Sequence, residues 1–444
     1  MARTVNPVES TRTAAEPALS RYGQAATADE MYRIATARLV LADHDRLLAD
    51  FPQLRPTALL AASPQLRALD ESARAALCRQ VADQWLVQNA ALISAAQTGS
   101  AEVNTSIATT GPPRTVARPP RYGRACVAPV PPASIRVAGL RHPVPVRGGG
   151  ELDIKGVGVA KGQVPGRGDY ADGLISLADT VQEYLIERLL DAIFTHAGAE
   201  ARTLPHYGII DTGFDGLAGD ERFPAALIVR RAHLRDLDSD LPRWDSADQY
   251  LSVRIELLLR RYGVTSSNWE AFEIRLDDGR LGVFSRKART EDSPALISCL
   301  VEYLELELPF VADRINIQMD VAGDPDGRRQ VVDFGHYSAR RSFHRPLVSL
   351  VSDRPMAWGG MLVPADDGFA QPDPLLVPSG PLWADACRPG NRLFRGFAAE
   401  VAAAFRRCEL DHVTVGARAT AALDELTSAW PPGASSPVSA SAQH

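Results

Sequence analysis

Lysine is nearly absent from this chain: Lys155, Lys161 and Lys287 stand against 45 arginines. Arginine serves for general surface charge, so a retained lysine points to a place that needs a compact ammonium rather than a planar fork. Two of the three lysines lie in one segment, residues 151–190. Cysteine is also scarce. Cys78, Cys126, Cys299, Cys387 and Cys408 are odd in number, widely spaced and never arranged as Cys-x-x-Cys, which argues against a disulfide framework and against structural zinc. Cys78 and Cys299 fall in apolar helical patterns and read as small buried hydrophobes. No run approaches the ~20 apolar residues needed to cross a bilayer. The opening MARTVNPVESTRTAAEP has no apolar export segment, so the expected location is cytoplasmic, without a membrane partner. The net charge is −6, and no basic stripe interleaved with aromatics stands out, so nucleic acid is not an expected partner.

What is present is the composition of an ordinary globular protein, 45% hydrophobic and 23% charged over 444 residues. That is enough for two or three lobes with a sizeable core. Residues 1–26, rich in Ala, Thr and Ser, read as a disordered leader, and 431–444 as a disordered tail. Residues 27–121 read as a helical extension and linker. Thr27 to Glu30 have capping-box spacing, Leu77, Val81, Trp85 and Leu92 keep helical phase, and the polar, proline-bearing stretch 97–121 reads as a linker.

Short strands follow at RACVAPV, SIRVAGL and ELDIKGVG, separated by Pro and Gly. A helix spans about Asp172 to His196, and HYGIID and AALIVRR are two further strands. Helices are expected at 244–263, with Ser246 as N-cap and Gly263 as stop, and at 293–308. FEIRLDDGRLGVFSRKA reads as a hairpin around Asp278-Gly279. INIQMDVAGDPDGRRQVVDFG reads as two strands joined by a turn, with Asn316 at the start of one and Asp333 at the end of the other.

The order of these parts carries chemistry. A lysine ends an early strand, a glutamate sits on the next helix, and a late hairpin runs into Asp333-Phe334-Gly335. Those are the ordered parts of a kinase fold: an ammonium for phosphates, a carboxylate to hold it, and an acidic ligand for magnesium. The expected class is α+β, a protein-kinase-like bilobal fold with a helical N-terminal extension, an N-lobe at 122–240 and a helical C-lobe at 241–430.

The same segment resembles the SelO family of kinase-like protein adenylyltransferases, a pseudokinase group. That family carries a strand with Leu-Lys-Gly-Ala-Gly, a loop with Arg-Gly-Asp and a helix like Thr-Ile-Arg-Glu-Phe-Leu. This chain has DIKGVG at 153–158, GRGD at 166–169 and TVQEYL at 180–185. The family's Met-Arg-Val-Ala-Pro-Ser-His-Leu-Arg is matched, two residues shorter, by IVRRAHLR at 228–235. Order and spacing agree over roughly 155–340 and not in the first or last hundred residues.

The resemblance implies ATP and Mg2+ as cofactors. It makes Lys155 the phosphate-binding lysine and Glu183 its helix partner, with Glu187 a rival on the same stripe. Gly166, Gly168 and Asp169 belong to the loop near the nucleotide, Arg230 and Arg235 contact phosphates, and Asn316 and Asp333 hold magnesium. The family's catalytic aspartate directly before that asparagine is replaced by Ile315, leaving Asp313 as the nearest stand-in for a base. The expected activity is transfer of AMP to a hydroxyl of a protein, peptide or small acceptor. An ordinary phosphotransferase and a catalytically inactive scaffold are the alternatives, Ile315 favouring the last.

Overall fold

Eight antiparallel strands make up the largest described sheet, which lies in the first of two compact units. The computed structural model describes residues 27–98, 107–118, 124–165, 172–197, 202–218, 220–235 and 394–428, with seven short strands between 271 and 352 and Phe334. The chain divides into two compact units, the first 1–180 with 205–240 and the second 181–204 with 241–444.

In chain order, the first stretch gives β1 (Thr27–Ile34), β2 (Arg38–Ala42), α1 (His44–Asp50), α2 (Pro56–Ala62), α3 (Pro64–Arg67), α4 (Glu71–Ala90), β3 (Leu92–Ser94), α5 (Ala95–Thr98) and β4 (Thr109–Arg118). Then come β5 (Ala125–Pro129), β6 (Ala133–Ile135), β7 (Val144–Val146), β8 (Glu151–Lys155), α6 (Leu177–Ala197), β9 (Arg202–Thr203), β10 (His206–Ala218), β11 (Glu221–Arg231) and β12 (Leu234–Arg235). The large sheet runs β2-β10-β11-β8-β5-β4-β1-β3.

That order forces the sheet to curl. β1 and β2 sit six places apart in it, about 29 Å across a flat sheet, yet the step from Ile34 to Arg38 can reach only about 14 Å. The two ends therefore approach each other. Thr36 Oγ1 donates to the Thr212 carbonyl at 2.5 Å, and Arg38 pairs with Asp211 at 2.8 Å, so the β1–β2 corner is stitched to β10.

The core fills one face of this curl. Val81, Trp85 and Leu86 of α4 join Leu152, Ile154, Leu227 and Val229 of the sheet in one buried cluster. Phe51 belongs to it, its ring tilted against Trp85 at 5.0 Å and edge-on to Tyr207 at 5.5 Å. α4 starts where expected of an acidic N-cap: Asp70 accepts from the Ala73 N–H at 2.8 Å, a contact that satisfies one orphan donor of the first turn.

In the second unit β9 pairs in parallel with β17 (Arg329–Val332), which pairs antiparallel with β16 (Asp320–Gly323). β13 (Ala271–Arg275) and β14 (Leu281–Ser285) form the hairpin read from the sequence, in register Arg275↔Leu281. β15 (Ile315–Asn316), β18 (Tyr337–Arg341) and β19 (Val348–Ser352) form a separate three-stranded sheet. The helices α7 (Arg395–Arg406) and α8 (His412–Ser428) follow.

The described residues are thus a mixture of antiparallel sheet and helices, of the α+β class. The helical extension is corrected: 27–34, 38–42 and 92–94 are strands, and 109–118 of the expected linker is a fourth. They flank the strands from 122–240 on both sides in one sheet, so 27–121 is no separate body. The local capping signal at Thr27–Glu30 loses to pairing of β1 with both β3 and β4, a case of tertiary context overriding propensity. Pro112 and Pro113 are tolerated in β4 because they lie where its register with β1 shifts, at an irregularity that needs no amide donor. The helices read at 244–263 and 293–308 lie outside the described residues. No helix among the described residues is long and apolar enough to cross a membrane.

Candidate functional site

β8 lies between β11 and β5, and its alternation divides its residues cleanly. Leu152 and Ile154 join the apolar core, while Asp153 and Lys155 point to the opposite face, where register sets Arg230 beside Asp153 and both Ala125 and Ile228 beside Lys155. Arg230 Nε donates to Asp153 Oδ1 at 2.5 Å with both side chains wholly buried. His233 follows β11, also buried, its Nδ1 3.7 Å from Asp153 Oδ2 and 3.3 Å from the Arg231 carbonyl. Lys155 is only 4% exposed. An ammonium this far from water is costly unless anions or acceptors surround it.

The glycine segment after Lys155 is fastened on several sides. The N–H groups of Gly156 and Val157 donate to the Arg124 carbonyl, the Val157 carbonyl accepts from Ser94, and Gly158 N–H donates to the Gly173 carbonyl. Gly158 and Gly173 both have positive φ, +88° and +73°. They pass so closely that a side chain on Gly173 would collide with the Gly158 backbone, and one on Gly158 with Gln97. Only glycine combines this conformation with this approach. Gln97 Nε2 in turn donates to the Asp172 carbonyl. Lys161, by contrast, is a surface residue paired with Glu30 at 3.2 Å, an exposed ion pair of little energetic weight.

α6 begins with a reciprocal cap. Ser176 Oγ accepts from the Asp179 N–H at 2.9 Å, the serine N-cap contact, and its hydroxyl donates to the Asp179 carboxylate at 2.7 Å. The helix is buried nearly all round from Leu177 to Leu190, Gln182, Glu183 and Glu187 included. Its acidic stripe is therefore internal. Glu187 Oε1 accepts from Thr203 Oγ1 at 2.5 Å, and Thr203 on β9 is in register with Val331 of β17. Glu187 thus fastens the helix to the sheet that holds β9 and β17.

The expected site residues fall into three groups. Lys155, Glu183 and Arg230 are described, and all three are buried. Arg235 and Asn316 are placed in strands, β12 and β15, without a described side chain. Gly166, Gly168, Asp169, Asp313 and Asp333 lie outside the described residues. One expectation is overturned. Asn316 was to begin the strand that pairs with the one ending at Asp333, but Asn316 pairs with Val351 of β19, and the partner of β17 is β16, with Asp320 opposite Val332. β16 begins only at Asp320, which leaves Asn316 upstream of both paired strands. Among the described residues no group of three or more His, Cys, Asp or Glu could hold a metal ion.

Sequence reading passed over Asp153, His233, Asp29, Arg118 and Asp172. Asp153 had a legible signal, a charge set between Leu152 and Ile154 in an otherwise apolar strand. Asp172 is buried, and desolvation pushes its carboxyl above the usual range against the opposing Leu174 N–H bond to Oδ1 at 2.9 Å. No family model matches this chain, and no curated protein matches it either.

Proposed function

We propose that this chain is an ATP- and magnesium-dependent transferase on a kinase-like bilobal fold, moving AMP to a hydroxyl of a protein, peptide or small acceptor. One observation carries the reading. In a chain that has replaced almost every lysine by arginine, Lys155 is kept, buried, at the end of a central strand, with a tightly fastened glycine segment directly after it. The next helix bears the buried Glu183, and the resemblance to the SelO family assigns these two residues to the nucleotide phosphates.

In this reading Lys155 neutralises phosphate charge, and the resemblance makes Glu183 its helix partner. Arg230 is engaged by Asp153, which leaves Arg235 as the arginine for phosphate contact. Magnesium, with Asp333 as the assigned protein ligand, supplies further charge neutralisation when bound. The acceptor hydroxyl loses its proton to a base, for which Asp313 is the candidate. Its oxygen bonds to the α-phosphorus as the bond to pyrophosphate breaks. Such a displacement depends on positioning and electrostatics more than on covalent help.

Ile315 favours a second reading, a nucleotide-binding scaffold without turnover, because it stands where the family has its catalytic aspartate. The deciding experiment incubates the chain with ATP labelled separately at the α- and γ-phosphates, with magnesium and a cell extract. Label transferred from the α position alone supports adenylylation. Label from the γ position alone makes the chain an ordinary phosphotransferase, and no transfer from either overturns catalysis in favour of the scaffold.

A further inference from the structure

We propose that Arg118, held by Asp29, is a positioning residue that fixes the glycine segment 156–159 and through it the placement of Lys155; this rests on the nucleotide reading above. Arg118 ends β4 and Asp29 lies in β1, and both are buried, at 4% and 2% exposure. Nε of Arg118 donates to Asp29 Oδ2 at 2.9 Å. The two terminal nitrogens go to backbone carbonyls: one to Gly158 at 3.1 Å and Ala125 at 3.4 Å, the other to Val159 at 3.3 Å. Asp29 adds its own grip, because Oδ2 also accepts the Lys161 N–H at 3.2 Å.

The targets of this pair give it a function beyond bulk stability. Ala125 is the cross-strand neighbour of Lys155 in β5, and Gly158 and Val159 lie three and four residues after Lys155. One guanidinium therefore binds the backbone beside the lysine and the backbone that follows it. Asp29 neutralises the arginine, so the segment is held by a pair of no net charge. Arginine is required for this task, since its fork reaches several acceptors in fixed directions and a lysine ammonium does not.

The test uses the full chain carrying Arg118→Lys, with Asp29→Asn as an isosteric second variant should the first fail to fold. Affinity for ATP with magnesium and for adenosine is measured by calorimetry, and backbone hydrogen exchange is followed over 156–162. The expected result is an ATP affinity lowered about tenfold or more, the size of a lost charge-assisted hydrogen bond, with adenosine affinity unchanged and faster exchange across the segment. Equal losses for ATP and adenosine overturn the proposal, because they mark a general structural role, and so does an unchanged ATP affinity. Wild-type protein that binds neither compound overturns the nucleotide reading itself, a result separable from the others because no variant is needed to see it.

Discussion

Arg230 and Asp153 form a wholly buried ion pair across neighbouring strands, Nε to Oδ1 at 2.5 Å. Removing one partner strands the other charge away from water, so Arg230→Ala and Asp153→Ala are each expected to cost about 3–5 kcal/mol. The double replacement Asp153→Leu with Arg230→Met is expected to cost far less than the sum. Urea denaturation of the three variants checks this. An Arg230→Ala protein of normal stability that loses only ATP affinity would return Arg230 to the phosphates.

Lys155→Ala is expected to weaken ATP binding by about 1–3 kcal/mol with the fold intact, and Lys155→Arg is expected not to restore it. Calorimetry showing unchanged affinity in both variants would remove the assignment. Glu183→Gln is expected to lower ATP affinity more than Glu187→Gln. The Glu187 change should appear instead as lost stability, through its bond to Thr203.

Asp172 makes stability depend on pH. Burial raises its folded-state pKa, so its favourable contribution is full below the ordinary carboxylate range and is lost as pH rises through the folded value. At neutral pH the buried charge is a burden. Asp172→Asn keeps an oxygen for the Leu174 N–H and is expected to raise the melting temperature at neutral pH, with the gain shrinking toward zero below about pH 4. A lower melting temperature than wild type at neutral pH refutes it.

The three described cysteines divide by access. Burial pushes the Cys126 thiol up to about 12 and also raises that of Cys78, whereas Cys408 is exposed. The thiolate is the reactive species, so brief alkylation of the native protein at mildly alkaline pH is expected to label Cys408 and spare Cys78 and Cys126. Peptide mapping of these three, with a urea-unfolded control in which all five cysteines of the chain are labelled, is the check.

Much of the mixed class was readable where structure is local. The helical period of Leu77, Val81 and Trp85 gave α4, although Leu92, read in the same phase, lies in β3, and the Asp-Gly turn between apolar runs gave the β13–β14 hairpin. What escaped was non-local. β1 carries a helix-start signal, and only its partners 92–94 and 109–118 make it a strand. Asn316 looked paired with the strand before Asp333 because the two were closest in sequence, while its partner lies near 351. Arg118 is one arginine among 45, and its carboxylate is 89 positions away. No local pattern marks it. Lys155 and Glu183 could be put forward as candidates because rarity, order and family resemblance, unlike contacts, are properties of the sequence itself.

The corner between β1 and β2 makes the sheet indivisible. A form shortened to begin after residue 42 would lose one strand from near each end of the same sheet, baring the hydrogen-bonding edge of β10 and that of β4 together. Exposed edges of this kind recruit other strands. Trimming what reads as an appendage is therefore expected to yield a self-associating species, because residues 27–42 cover both of those edges.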